Sequence, residues 1–243
     1  MLKKVLPVFL AVLLCSTAYT QTNTASSFYQ SGIGFKNNNQ LPEALAAFNK
    51  AVTLRKNFDS AYVEIGNLYA ASSNWDNSIG FYKKALAINP VYTEALIGAG
   101  KIYRDAKQNL DSALYFYSAA AKTDSSIKEV FYALAWTYNA KKEYDKAIPN
   151  AIKALEIDNN YRPAYGELGH SYNASKKYAE AVEQFKKNLA VSKNDIAMLY
   201  AGYAYTELNN KEGALELYEE LKKLNERMAN NLKKKIDAMP GKD

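Results

Sequence analysis

Apolar residues recur along the chain at spacings of three and four, in short runs divided by polar breaks. The run Tyr62, Ile65, Leu68, Tyr69 predicts a helix with one apolar face. Ser72-Ser73-Asn74 breaks it, and Ile79, Tyr82, Leu86 predict a second helix beyond. That second helix ends in YKKALAINP, residues 82–90, and the chain rebuilds nearly the same ending as IKALEIDNN (152–160) and FKKNLAVSK (185–193). Sliding the sequence against itself gives a period of 34 residues. Copies lie near 25–58, 59–92, 93–127, 128–161, 162–194 and 195–228; the third is one residue longer and the first less regular.

Small residues hold fixed places in the copies. The first half carries Gly32, Gly66, Gly100, Ala135, Gly169 or Gly202. The second carries Ala44, Ser78, Ala113, Ala147, Ala181 or Ala214, followed by Ala51, Ala85, Ala120 and Ala154. Helices approach to about 8 Å only where the residues at their crossing are small. A glycine inside a helix costs up to about 1 kcal/mol relative to alanine, so its recurrence implies an offsetting packing gain.

These residues resemble the tetratricopeptide repeat family. Its pattern of an aromatic, Leu-Gly, Tyr, a first alanine, an aromatic, a second alanine and a proline is matched by Tyr62, Ile65, Gly66, Tyr69, Ser78, Tyr82, Ala85 and Pro90. Asn188 and Leu221 depart from it at the second alanine, and only Pro90 keeps the terminal proline. The resemblance, to an exported bacterial type, implies an all-α fold: a right-handed superhelical α-solenoid of about six antiparallel helix pairs with a concave inner face. Met228, Leu232 and Ile236 share one stripe of the stretch 225–239, which reads as a C-terminal capping helix before a tail at 240–243. A partner-binding amphipathic helix is the alternative there. Pro42 and Pro163 stand where helices begin and Pro90 past a helix end, whereas Pro149 falls inside a helix and predicts a bend.

The N-terminus follows another pattern. Lys3 and Lys4 precede an apolar run from Val5 to Leu14, then small and polar residues, as in a secretory signal peptide over 1–20 with a short linker at 21–24. As a helix that run would rise about 15 Å, half of a bilayer core, so no membrane span is expected. A non-cleaved amphiphilic anchor is the alternative. Cys15, the one cysteine, sits in a tract resembling a lipobox, although Leu14 is larger than the residue that pattern places there. A lipid anchor at Cys15 is therefore the lesser expectation, and a periplasmic or secreted protein, outer-membrane associated if anchored, the greater. Without Lys3 and Lys4 the formal charge of +6 becomes +4, too mild to indicate nucleic acid.

Chemistry-bearing patterns are few. One histidine, His170, leaves no histidine pair for a metal, and no phosphate-binding glycine loop or nucleophile elbow occurs. No catalytic residue, metal or cofactor is expected. The lysine pairs at 83–84, 141–142, 176–177 and 186–187 read as solvated faces, the first and last on the convex side. Tyr69, Tyr103, Tyr138, Tyr172 and Tyr205 recur at one core place.

The resemblance also implies an inner groove lined at places two, five, nine and twelve of each repeat. Those places give Tyr29, Lys36, Asn67, Lys101, Arg104, Tyr132, Trp136, Asn139, His170, Asn173 and Tyr203. Such a set suits an extended protein or peptide segment bearing an acidic group, with Lys101 and Arg104 for its carboxylate. The lysine–asparagine carboxylate clamp of the family's chaperone-binding members is not reproduced. The first expectation is a non-enzymatic peptide-binding scaffold in the bacterial envelope. The second is a structural subunit of an envelope assembly or secretion complex, joined through the convex face and the C-terminal helix. The third is an accessory to a catalytic partner. Partner identity and oligomeric state are not written in the sequence.

Overall fold

The computed structural model describes residues 24–240, so the signal peptide with Cys15, most of the linker and most of the tail lie outside the described residues, and Thr24, expected in the linker, opens the first helix. Among those described, every regular element is a helix. They form two units that divide at Ala120–Ala121, within the last turn of α6.

In the first unit α1 (24–37) is followed by α2 (Leu41–Leu54), α3 (Asp59–Ala71), α4 (Trp75–Ile88), α5 (Thr93–Asp105) and α6 (Leu110–Thr123). The second holds α7 (Lys128–Ala140), α8 (Tyr144–Ile157), α9 (Arg162–Ala174), α10 (Tyr178–Val191), α11 (Asp195–Glu207), α12 (Lys211–Leu224) and α13 (Glu226–Asp237). Successive helices pack as antiparallel pairs, and within each unit first helices also pack on first helices, α3 on α5, α7 on α9 and α9 on α11. This is the all-α solenoid class.

One backbone device recurs at the turn inside every pair. Asn39, Ser73, Gln108, Lys142, Lys176 and Asn209 all have left-handed φ between 50° and 62°. In the second pair Ser73 N–H donates to the Ala70 carbonyl at 2.9 Å and Asn74 N–H to the Tyr69 carbonyl at 2.8 Å. Those are the two bonds of a Schellman ending, which satisfies carbonyls the helix leaves open. The recurrent tyrosines Tyr138, Tyr172 and Tyr205 accept the matching bond in their own copies. The extra residue of the third copy lies in this turn, which spans 106–109 where the others have three residues. The fifth copy is short elsewhere: its link to the next pair is 192–194, against four residues in the other links.

The recurrent glycines are occupied by side chains rather than by a bare helix crossing. A Cβ on Gly32 would stand 2.6 Å from Phe48 Cε1, on Gly66 2.8 Å from Tyr82 Cδ1, and on Gly169 2.8 Å from Phe185 Cε1. An aromatic ring from the second helix lies flat where the Cβ would be. The fourth copy replaces both partners, with Ala135 for the glycine and Ala151 for the ring, and both alanines are fully buried. At Gly202 the space is taken by Leu232 of α13. Leu232 and Ile236 are buried on α11 and α12, and Met228 is partly buried beside them. The apolar stripe of the last helix is thus covered by its own unit, leaving Lys234 and Lys235 outward.

Pairs are also clasped at their base, always between residues thirty apart. Asn89 donates to Asp59, Lys128 pairs with Asp158 at 2.5 Å, Arg162 donates to Ser192 Oγ, and Asn225 donates to Asp195 at 2.8 Å. Pro42 and Pro163 occupy the first turns of α2 and α9, where a missing N–H leaves nothing unpaired. Pro149 lies within α8 on its exposed side, and α8 keeps the 14-residue length of the other second helices. The paired lysines are largely exposed, and several lie over rings: Lys83 over Tyr103, Lys84 over Phe81 and Lys186 over Tyr205.

Candidate functional site

The first helices present the residues expected to line the groove, but several of these hold one copy to the next. Lys36, at place twelve of the first copy, forms an ion pair with Glu64 of the second at 2.6 Å. Asn67 donates to Glu94 at 2.8 Å and accepts from the Tyr82 hydroxyl at 2.6 Å. Asn139, at the same place as Lys36, is buried and donates to both the backbone carbonyl and the carboxylate of Glu167. Its Oδ1 accepts from Ser171 Oγ at 2.7 Å, completing a satisfied network within the fourth and fifth copies. The chemistry that makes a good groove ligand also makes a good clasp between repeats. Sequence position alone does not separate the two.

In the first unit Tyr29 packs between Phe48 and Phe58, and its burial raises the hydroxyl pKa. Arg104 turns back on its neighbour Asp105 with two hydrogen bonds, 2.6 and 3.0 Å, so its guanidinium already holds a carboxylate. Asn67 and Lys101 share a depression with Trp75, Tyr82, Gly98 and Asp105. Burial pushes the Tyr82 hydroxyl up to about 12.

The second unit gathers more. Tyr132, Trp136, Asn139 and His170 line one cavity of about 510 Å³, reached from α7, α9, α10 and α11. Asn173 and Tyr203 lie outside its lining. Tyr203 packs on Tyr200 with Lys235 above its ring. His170 sits edge-on between Tyr144 and Tyr200, and burial lowers its pKa. Burial therefore favours the neutral ring over the imidazolium.

The same cavity is lined by residues the groove rule did not select: Arg162, Gly166, Glu167, Phe185, Asn188, Ile196 and Tyr200. Gly166 and Ile196 occupy places five and two, which the rule includes. Glycine offers no side chain to nominate, and an aliphatic residue gives no polar signal. Asn188 was visible as a departure from the second alanine, and its setting gives that departure meaning. It is 4% exposed, Nδ2 donates to the Arg162 carbonyl at 3.0 Å, and Oδ1 is buried with no hydrogen-bond donor among the described residues. An acceptor left so costs about 1–3 kcal/mol. Ile196, at 53% exposed, forms an apolar rim beside it.

Tetratricopeptide repeat family models match residues 29–93, 63–126, 128–161, 163–195 and 196–225. Among solved structures, YrrB, described as a tetratricopeptide repeat protein with an unusual peptide-binding site, is 25% identical with a TM-score of 0.71. The match covers 77% of this chain and 98% of YrrB. PilF of Pseudomonas aeruginosa is 16% identical over 88% of this chain and 98% of its own, with a TM-score of 0.71. PilW, a type IV pilus biogenesis factor, is 15% identical over 86% and 97%, with a TM-score of 0.67. At those identities the latter two share the fold alone. No curated protein matches the chain. Among the described residues no helix is long and apolar enough to cross a membrane.

Proposed function

The chain belongs to the tetratricopeptide repeat family, and from that premise we propose that it is a non-enzymatic scaffold of the bacterial envelope that holds a protein or peptide against its first helices. The observation that carries this reading is the cavity of the second unit. Three first helices and one second helix bring aromatic rings, hydrogen-bonding groups and the exposed Ile196 to one depression large enough for one or two side chains. Pockets that bind in this way are mostly apolar walls with a few fixed polar groups. The peptide-binding description of YrrB supports the same reading by likeness. The leader pattern of residues 1–20 supports export. An acidic group on the partner is supported in the first unit by Lys101, which lines its depression with no ion pair among the described residues, whereas Arg104 is engaged by Asp105.

The test is co-purification from the native cell with wild type and with Trp136→Ala combined with Ile196→Asp. Loss of the partner, with helical circular dichroism and urea midpoint retained, is expected. Undiminished co-purification would overturn the site.

A further inference from the structure

Several departures from the repeat meet in the fifth copy. Where the other copies hold Val63, Ile97, Tyr132 and Leu199, the fifth has Gly166. Where they hold Ala85, Ala120, Ala154 and Leu221, it has Asn188. The two changes are in contact, since a Cβ on Gly166 would stand 3.4 Å from Asn188 Nδ2. Both residues line the cavity of the second unit, so a place that is apolar in the other copies carries a buried amide here.

Asn188 and Arg162 give one wall of that cavity both kinds of hydrogen-bonding capacity. Asn188 Nδ2 donates to the Arg162 backbone carbonyl at 3.0 Å, and Oδ1 is buried with no donor among the described residues. The Arg162 side chain reaches Ser192, four residues past Asn188, and gives Ser192 Oγ one of the five N–H groups of its guanidinium. No carboxylate among the described residues pairs with that guanidinium. An acceptor short of a donor therefore lies about one helical turn from a guanidinium with donors to spare. The charged residues of the lining are Arg162 and Glu167, one of each sign, and Glu167 is already engaged by Asn139. A cationic guest would meet the guanidinium. A carboxylate guest would approach Glu167 and bring no donor to Asn188.

A neutral group that offers an acceptor and a donor side by side satisfies both residues. A primary carboxamide has such an edge, because one of its N–H groups lies on the same side as its carbonyl. A main-chain amide does not, since N–H and C=O of a trans peptide point in opposite directions. We propose that this cavity takes the side-chain carboxamide of a glutamine or asparagine in the partner, its oxygen on the Arg162 guanidinium and its syn N–H on Asn188 Oδ1. This rests on the peptide-binding reading above and gives that site its side-chain specificity. Burial denies Oδ1 a bond to bulk water, so a donor supplied by the guest gains a bond there without losing one. Ile196 on the rim offers apolar cover for the guest's methylene stem.

The test uses blocked tripeptides with a central glutamine, methionine, glutamate or lysine, titrated into the purified full chain. A fifth peptide carries glutamine with a single methyl on its side-chain nitrogen; that methyl lies beside the carbonyl, so the group keeps an N–H but loses the syn one. Binding is followed by the indole N–H resonance of Trp136, identified by its loss in Trp136→Phe. Glutamine is expected to bind about tenfold tighter than each of the other four. Asn188→Ala and Arg162→Met should each reduce its lead over methionine to less than about threefold. Should either variant lose its helical circular dichroism, the methylated peptide on the wild-type chain decides the same point. Methionine, glutamate, lysine or methylated glutamine binding as tightly as glutamine, or a lead that survives either substitution, would overturn the proposal. If co-purification still depends on Trp136 and Ile196 while this preference is absent, the carboxamide inference alone fails. If both are absent, the peptide-binding reading fails with it.

Discussion

The exchange of ring for methyl between the fourth and fifth copies predicts a coupling that can be measured. In the fifth copy a methyl on Gly169 would meet Cε1, Cδ1 and Cζ of Phe185 at 2.8, 2.9 and 3.0 Å. Phe185 is 2% exposed, so its ring has little room to retreat. Overpacking of this kind costs about 1–3 kcal/mol. The helix propensity gained by replacing glycine with alanine returns at most about 1 kcal/mol. Gly169→Ala should therefore destabilise by about 1 kcal/mol, despite alanine being the better helix former. Phe185→Ala removes the ring and should cost about 3–5 kcal/mol. In that background Gly169→Ala recreates the Ala135–Ala151 pair, the clash is gone, and the propensity gain of about 1 kcal/mol remains. The double variant should be more stable than Phe185→Ala alone, with a coupling of about 2 kcal/mol. Urea unfolding followed by circular dichroism at constant m reads all four corners of the cycle. Additivity within about 0.5 kcal/mol, or a stabilising Gly169→Ala, would refute the claim that the ring fixes the glycine.

Other consequences are equally direct. Burial lowers the His170 pKa below the unfolded value of 6.5, so the unfolded chain binds the proton first. Its contribution to stability is complete above pH 6.5 and declines as pH falls toward the folded pKa; His170→Gln should flatten that part of the urea midpoint against pH. Asn139→Ala removes the bonds that join Asn139 to Glu167 and Ser171 and should cost about 1–3 kcal/mol, read as faster amide exchange in α7 and α9. Lys142 carries a side chain at φ 61°, so Lys142→Gly should stabilise the fold by up to about 1 kcal/mol, offset in part by the freer unfolded chain and read as a higher urea midpoint at constant m.

The fold was legible because each copy repeats the same solution. Period, helix breaks and small residues report on packing that every copy must satisfy, and six statements of one rule outweigh the irregularity of any one. What the glycines make room for was less legible. Nothing local distinguishes a helix crossing from a ring laid on a helix until the fourth copy is seen to lose both partners. Among the site residues, Tyr132, Trp136 and His170 were readable from their places, and the structure brings them together. Lys36, Asn67 and Asn139 obeyed the same rule but join copies, since an amide or ammonium satisfies a neighbouring glutamate as readily as a ligand. Glu167 escaped notice because surface carboxylates are common and its role depends on a partner 28 residues away. Asn188 was seen as an irregularity and could be interpreted only once its unpaired oxygen and Gly166 were found at one cavity.

The central claim is that the partner is held at the cavity of the second unit. A photoreactive benzophenone residue at 196, on its rim, compared with one at exposed position 115, in the other unit, tests this in the native cell. Predicted is a discrete adduct from 196, suppressed by Trp136→Ala, and none from 115. Adducts of equal yield from both positions, or one from 196 indifferent to Trp136→Ala, would contradict it.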